Sequence, residues 1–442
     1  MEFSEMSGAD IGREIQAGRA DPLDVAHRFV DAIKSHAARD EIYARLCEKR
    51  TLEEAEKASA RAKAGTRFGP LDGVPVSWKD LFDTKDIATE SGSPILAGRI
   101  PEIDCEVLQN ATAAGTICLG KTHQTEFAFS GIGINPNTAT PPNKSMPGHV
   151  PGGSSSGAAA SIAHGLAPIA IGSDTGGSVR IPACWNSLVG LKTTHGVLSL
   201  KNVVPLCSGF DTVGPITKTV EDAALMFSAL GGGETDLTNS PSLADLKFAV
   251  VETVALDHCD DAQMAAFERA LSALEKAGAK IDRIKASEFS NVLDLGPSMF
   301  PFEAWQAWGD AITANPGVMY APVEVRFKQG IHITKTQYEA AWSAMMVERK
   351  SFFANTGVYD AILMPATPMQ PPLIEALLND VEQFTAANLL ALRNTRFANL
   401  LGTCALTLPT ATTAAGLQIM GKPNEETRLL QIGLTLENVV KG

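Results

Sequence analysis

Three short stretches hold the residues whose types and spacing suit chemistry. They are "GGSSSG" at 152–157, "GSDTGGSVR" at 172–180, and the single lysine, Lys79, in "VPVSWKD" at 74–80. The two glycine-serine bursts are separated by the apolar run "AAASIAHGLAPIAI". Such bursts read in three ways: a flexible linker, a phosphate cradle, or a catalytic centre built on serine. The apolar run argues against a linker, because a linker would not pass through a core between its two halves. Neither burst has the spacing G-x-G-x-x-G or G-x-x-x-x-G-K-[ST], so the phosphate reading is weak. A serine hydroxyl becomes a nucleophile only when a base removes its proton. The eight histidines (His27, His36, His123, His149, His164, His195, His258 and His332) form no triad motif, and no G-x-S-x-G elbow is present. His123 and His149 flank these loops, but packing is the simpler role for each. A lysine serves as base if burial keeps it neutral, since the charged form is costly to desolvate. Lys79, in an apolar strand-like segment, is the lysine best placed for that.

The elements that must position these residues follow from the hydrophobic pattern. Residues 8–38 read as two amphipathic helices, with Gly18 ending the first and Asp21-Pro22 opening the second. Residues 51–64 read as a helix capped by a Thr51/Glu54 box. "VPVSWKDLF" reads as a buried strand. Three segments then repeat the order helix, glycine stop, strand: 105–121, 157–174 and 261–284. That alternation predicts an α/β fold with a mixed, largely parallel sheet covered by helices on both faces. The polar stretch "LGGGETDLTNSPSLAD" (230–245) is the best internal break, "LKFAVVE" opens a new unit after it, and "ALTLPTATTAAGLQIMG" reads as two strands. One domain over 1–442 is the simplest organisation, with an aromatic-rich excursion at about 285–350. Its run from Phe300 to Trp308 suits an acyl-side pocket but at helical spacing is more often core.

Composition narrows the class. The chain has 442 residues, is 45% hydrophobic and 20% charged, and carries a net charge of −13. It has no basic block, so nucleic-acid or membrane binding gains no support. Seven widely spaced cysteines without a CxxC pair argue against a disulfide framework or a zinc site. With no signal-like start and no apolar run of spanning length, a cytoplasmic location is the expectation.

The serine and lysine segments resemble those of the amidase signature family. "GGSSSG" leads through the apolar run to "GSDTGGSVRIPA", and "GPLDGVPVSWKDLFD" (69–83) is similar to the family's lysine segment. "GTICLGKTHQTEFAFS", "LVGLKTTHGVLS", "DTVGPITKTVEDAA" and "YDAILMPATP" follow in the family's order, densest over 69–224. The resemblance implies a Ser-cis-Ser-Lys triad: Ser178 as nucleophile, Ser154 as bridging serine after a cis peptide, and Lys79 as terminal base. It implies an oxyanion hole of backbone N–H groups from Thr175, Gly176, Gly177 and Ser178. Asp174 and Arg180 would brace that loop, and Ser155 would support the lysine. The substrate would be a small-molecule amide, no metal or organic cofactor would be needed, and a homodimer is the family expectation. An A-type subunit of a tRNA-dependent amidotransferase is the alternative activity, and a binding protein that keeps the fold without turnover is a third. The chain departs from many relatives in having His123 where they have asparagine, and in a shorter segment after Pro409.

Overall fold

In a computed structural model describing residues 2–441, eleven strands join into one sheet. They are β1 (Tyr43–Leu46), β2 (Pro75–Lys79), β3 (Ile117–Thr122), β4 (Ile169–Ser173), β5 (Val189–Lys192), β6 (Val213–Thr217), β7 (Lys247–Val251), β8 (Lys280–Ile284), β9 (Ala361–Pro365), β10 (Ala405–Pro409) and β11 (Gly416–Met420). Their spatial order is β1-β3-β2-β4-β6-β5-β10-β11-β9-β7-β8. The α/β class and the mixed sheet match the sequence reading, but the weight given to parallel pairing does not. Four neighbouring pairs are parallel, β2 with β3 and β4, and β7 with β8 and β9. The other six are antiparallel. Connections explain the difference. Parallel neighbours need a crossover, here usually helical, whereas antiparallel neighbours can be joined directly. β10 and β11 form a hairpin across 410–415, and β5 returns to β6 through 193–212 without a helix.

Every residue of β2, β3 and β4 is buried, as strands covered on both faces require. The predicted units are present: helix Glu106–Ala113 before β3, Ser156–Ala163 before β4 and Asp261–Lys276 before β8. The first helix runs Gly8–Gln16, Gly18 adopts φ +68°, and the Asp21 side chain accepts from Leu23 N–H at the start of the helix Pro22–Ser35. The Thr51/Glu54 cap is a misreading. That helix begins at Glu48, so Thr51 lies inside it, and its hydroxyl donates to the carbonyls of Cys47 and Cys118. Glu54 instead accepts from Cys118 N–H, which ties the helix to β3. The stretch 285–350 carries helices Glu288–Leu295, Phe300–Ala314, Ala321–Lys328 and the start of Lys335–Thr356, and no strand.

What matters for the site is the register at the centre-left of the sheet. β2 and β4 are parallel neighbours with Trp78 opposite Ile171. Lys79 and Ser173 therefore emerge together at their carboxyl ends, the edge where open α/β sheets place their ligands.

Candidate active site

The glycine-serine bursts fold onto that edge. The helix Ser156–Ala163 starts immediately after Ser154 and Ser155, and its first turn is built of residues small enough to press close. Gly157 N–H donates to the His123 carbonyl at 2.9 Å. The peptide between Gly153 and Ser154 is cis. Ser154 is fully buried, and Lys79 Nζ lies 2.6 Å from its Oγ. The second partner of Lys79 is Ser173 Oγ at 2.8 Å. Sequence reasoning gives Ser173 no role, although its place at the end of a strand beside the lysine strand is the available signal. Ser155 does not touch the lysine. Its hydroxyl donates to the Ser173 carbonyl at 3.3 Å, so it supports the end of β4 instead. A Cβ at Gly172 would lie 2.5 Å from Ser155 Oγ, so glycine there leaves room for that contact.

Three lysines are wholly buried, and their partners separate them. Lys121 pairs with Asp80 at 3.3 Å and bonds Thr89 Oγ1 at 2.8 Å. Lys192 donates to the carbonyls of Thr193 and Thr403. Lys79 has only hydroxyls. Burial pushes its amine down to about 7, against the weaker opposing pull of the Asp174 and Asp211 carboxylates.

Residues 174–180 form a tight loop around one carboxylate. Asp174 accepts from Gly177 N–H at 2.8 Å, Val179 N–H at 3.1 Å, Arg180 Nε at 3.0 Å and Arg180 Nη2 at 2.8 Å. Arg180 continues to the Thr395 carbonyl, Gln418 Oε1 and Asn399 Oδ1, so all five of its N–H donors are engaged. Both side chains are 0% exposed. Burial by itself would raise the Asp174 carboxyl. The Arg180 guanidinium and the Asn399 amide outweigh it and hold the group at about 2. The bond from Gly177 N–H corrects the expected oxyanion set, because that N–H is occupied. Among the described residues the backbone N–H groups of Thr175, Gly176 and Ser178 have no protein acceptor. Gly177 has a different function: its φ is +140°, and a Cβ would fall 2.1 Å from Thr395 Oγ1.

Ser178 is 3% exposed and lines a cavity of about 290 Å3, mouth included. Thr175, Gly176, Phe129, Ser130, Phe300 and two arginines, Arg326 and Arg396, share the lining. Among the described residues the Ser178 hydroxyl makes no hydrogen bond, and no direct bond joins Ser154 Oγ to Ser178 Oγ. The two loops are joined through backbone, Ser155 N–H donating to the Ser178 carbonyl at 3.2 Å. Catalytic hydrogen bonds commonly tighten only with substrate in place. No histidine lines the cavity: His123 faces the Asp40 carbonyl, His149 the Pro147 carbonyl, and His164 packs edge-on against His36. Of the aromatic run, Phe300 reaches the cavity, whereas Trp308 packs on Phe127 with ring centroids 4.4 Å apart. No cluster of metal-ligating side chains occurs among the described residues.

The mixed α/β sheet thus brings Ser154, Ser173 and a buried lysine without a paired carboxylate to one edge. The chain belongs to the amidase family, whose model matches residues 24–430. It is 34% identical over 437 residues to 2-amino-5-chloromuconic acid deaminase of Comamonas testosteroni, covering 93% of this chain and 92% of that one. It is 29% identical to the A-type subunit of the glutamyl-tRNA(Gln) amidotransferase of Symbiobacterium thermophilum, covering 99% and 97%. A crystal structure of an amidase superimposes with a TM-score of 0.89 at 27% identity, covering 98% of this chain and all of that one.

The Asp174–Arg180 pair makes a stability prediction. Arg180→Met leaves a buried carboxylate without its counter-charge and lowers unfolding stability in urea by about 3–5 kcal/mol. The double variant Asp174→Asn/Arg180→Met loses less than the sum of the two single changes, since the groups share one interaction.

Proposed function

We propose that this protein hydrolyses a linear carboxylic amide to a carboxylate and ammonia or an amine, through an acyl-enzyme on Ser178. The observation that carries the reading is Lys79: buried, without a paired carboxylate, near neutrality at pH 7, and 2.6 Å from the Ser154 hydroxyl. A neutral amine accepts a proton, and Ser154, bonded to it, lies beside Ser155, whose N–H donates to the Ser178 carbonyl.

The steps follow from these positions. Ser178 Oγ attacks the amide carbon as its proton passes to Ser154, whose own proton passes to Lys79. The carbonyl oxygen becomes an oxyanion, held by the unoccupied N–H groups of Thr175, Gly176 and Ser178. Each such donor supplies on the order of 3 kcal/mol in the transition state. The intermediate collapses, the C–N bond breaks, and the lysine's proton returns through Ser154 to the leaving nitrogen. Water then enters, loses a proton along the same relay, and releases the carboxylate while Ser178 recovers its proton. Ser173 orients the lysine from its other side. The cysteines are free and six of the seven are buried, which fits activity in a reducing, cytoplasmic setting.

A second reading, a glutaminase subunit working with partner chains, draws on the near full-length similarity to A-type amidotransferase subunits. Amide hydrolysis by the purified chain alone favours the first reading, and activity that appears only with a co-purifying partner favours the second.

Ser178→Ala abolishes ammonia release and labelling by a fluorophosphonate, while near-ultraviolet circular dichroism shows the fold retained. Full activity in that variant sinks the mechanism. Lys79→Ala reduces kcat by at least about 1,000-fold, within the range a general base commonly supplies, since it leaves Ser154 without an acceptor. The pH profile has a definite sign. The active lysine is neutral, so with a value of about 7 its active fraction is half at pH 7, small at pH 5 and nearly complete at pH 9. The rate therefore rises with pH along a limb centred near 7, seen in kcat/KM of the free enzyme.

A further inference from the structure

The cavity beside Ser178 contains two positive charges and no negative one. Its lining includes Arg326, from the helix Ala321–Lys328, and Arg396, from the helix Val381–Leu400, and no aspartate or glutamate. Neither arginine makes an ion pair among the described residues, although twenty-two such pairs occur elsewhere in the chain. Arg326 is 7% exposed and donates to one acceptor, the Phe129 carbonyl, while its guanidinium carbon sits 4.2 Å from the centre of the Phe129 ring. Arg396 makes no hydrogen bond among the described residues. Its guanidinium carbon lies 5.6 Å from the Phe300 ring centre, and its stem runs beside Gly176, where an added Cβ would be 3.8 Å from Nε.

The carboxylates of this region are already engaged. Asp211 accepts from the Thr175 hydroxyl and from the N–H groups of Leu206 and Cys207. Glu303 accepts from Gly209 N–H and the Tyr338 hydroxyl. Burial and the neighbouring Arg396 push Arg326 down to about 9, and burial pushes Arg396 to about 10. Both remain cations at neutral pH, so their mutual repulsion stands uncompensated. Leaving two guanidinium ions, Arg326 buried and Arg396 half-buried, against apolar walls is costly unless a partner of opposite charge arrives. In a chain of net charge −13, a cationic cavity at the nucleophile is also the opposite of the average surface.

We propose that Arg326 and Arg396 form a carboxylate-binding subsite, so that the substrate is a small amide bearing a carboxylate on its acyl side. This rests on the amide-hydrolase reading and narrows its substrate class. Arginine suits the role because its planar fork of donors matches the two oxygens of a carboxylate. The space is small, about 290 Å3 with its mouth included, which favours a short chain. The Phe300 and Leu392 side chains in the lining provide apolar walls for that chain. The position of Arg396 beside Gly176 puts the charge within a residue's length of the unoccupied oxyanion donors, so one small molecule reaches both.

Arg396→Met is the informative variant, because that guanidinium holds no part of the fold, whereas Arg326 carries the Phe129 carbonyl. The test compares kcat/KM for the half-amides of straight-chain C3 to C6 dicarboxylic acids with the uncharged alkanamides of equal length. In the native protein the best half-amide exceeds its neutral counterpart by about 100-fold or more, in keeping with a site built to bond a polar group. In Arg396→Met that ratio falls below about 10, and Arg396→Lys recovers part of it. Calorimetry on Ser178→Ala protein reads binding without turnover: a C3 to C6 dicarboxylate binds one to one, and the added Arg396→Met change removes the binding. Half-amides no better than alkanamides with no dicarboxylate binding, or a native ratio retained in Arg396→Met, overturns the subsite. Fluorophosphonate labelling of Ser178 in the native protein keeps the two readings apart. A labelled serine with no preference for anions defeats the subsite alone, and an unlabelled serine with dicarboxylate bound defeats the hydrolase alone.

Discussion

The geometry of the site depends on one buried ion pair. Asp174 and Arg180 lie six residues apart at the two ends of the nucleophile loop, and the loop is shaped by the bonds the carboxylate accepts from within it. A buried charge pair of this kind is tolerated because almost every donor and acceptor on it is used. The outer side of Arg180 reaches the helix Val381–Leu400 and β11, elements more than two hundred residues further along the chain. The interaction thus does two things together. It fixes the direction of the Ser178 peptide and locks the first half of the sheet to the second.

The same chain treats buried cations in three ways, and the contrast identifies their roles. Arg180 is neutralised completely. Lys121 is neutralised by Asp80, and Lys192 donates to two carbonyl oxygens while burial and the nearby Arg180 push its amine down to about 7. Lys79 is met by two hydroxyls, which bond a neutral amine as readily as an ammonium, and burial then favours the neutral form. Burial alone does not make a lysine into a base. What distinguishes Lys79 from Lys192, which burial lowers as far, is its partner: the hydroxyl of Ser154, beside the nucleophile loop, in place of backbone carbonyls.

Much of the frame was legible in the sequence because it is written locally. The strand around Lys79, the apolar helix between the bursts and the three helix-strand units follow from periodicity and glycine stops. Other features were not legible, each for a physical reason. The Thr51 hydroxyl looked like a cap because its spacing to Glu54 fits one, but the carbonyls it found, those of Cys47 and Cys118, precede the helix and come from the strand it packs on. The share of antiparallel pairing depends on which strands meet across long connections, and no local pattern encodes that. Ser173, which had no role in the sequence reading, takes the place expected of Ser155 because the register of β2 against β4 decides which hydroxyl reaches Lys79. The pair Arg326 and Arg396 passed unnoticed since arginines are common on amphipathic helices, and only the absence of a nearby carboxylate sets these apart.

The helix Val381–Leu400 links the chemistry to the choice of substrate. Thr395 accepts from Arg180 through its carbonyl and donates its hydroxyl to the Gly176 carbonyl at 2.7 Å, so it grips the oxyanion loop from outside. The next residue, Arg396, turns into the cavity. A change that shifts this helix alters loop and cavity together, which couples the position of the oxyanion donors to that of the cation. Gly177 makes the close approach feasible, since any side chain there would strike Thr395 and push the helix away. The glycines of the second burst therefore serve the distant half of the molecule as much as the nucleophile between them. The second half of the chain can reshape the cavity only within the distance that this contact allows.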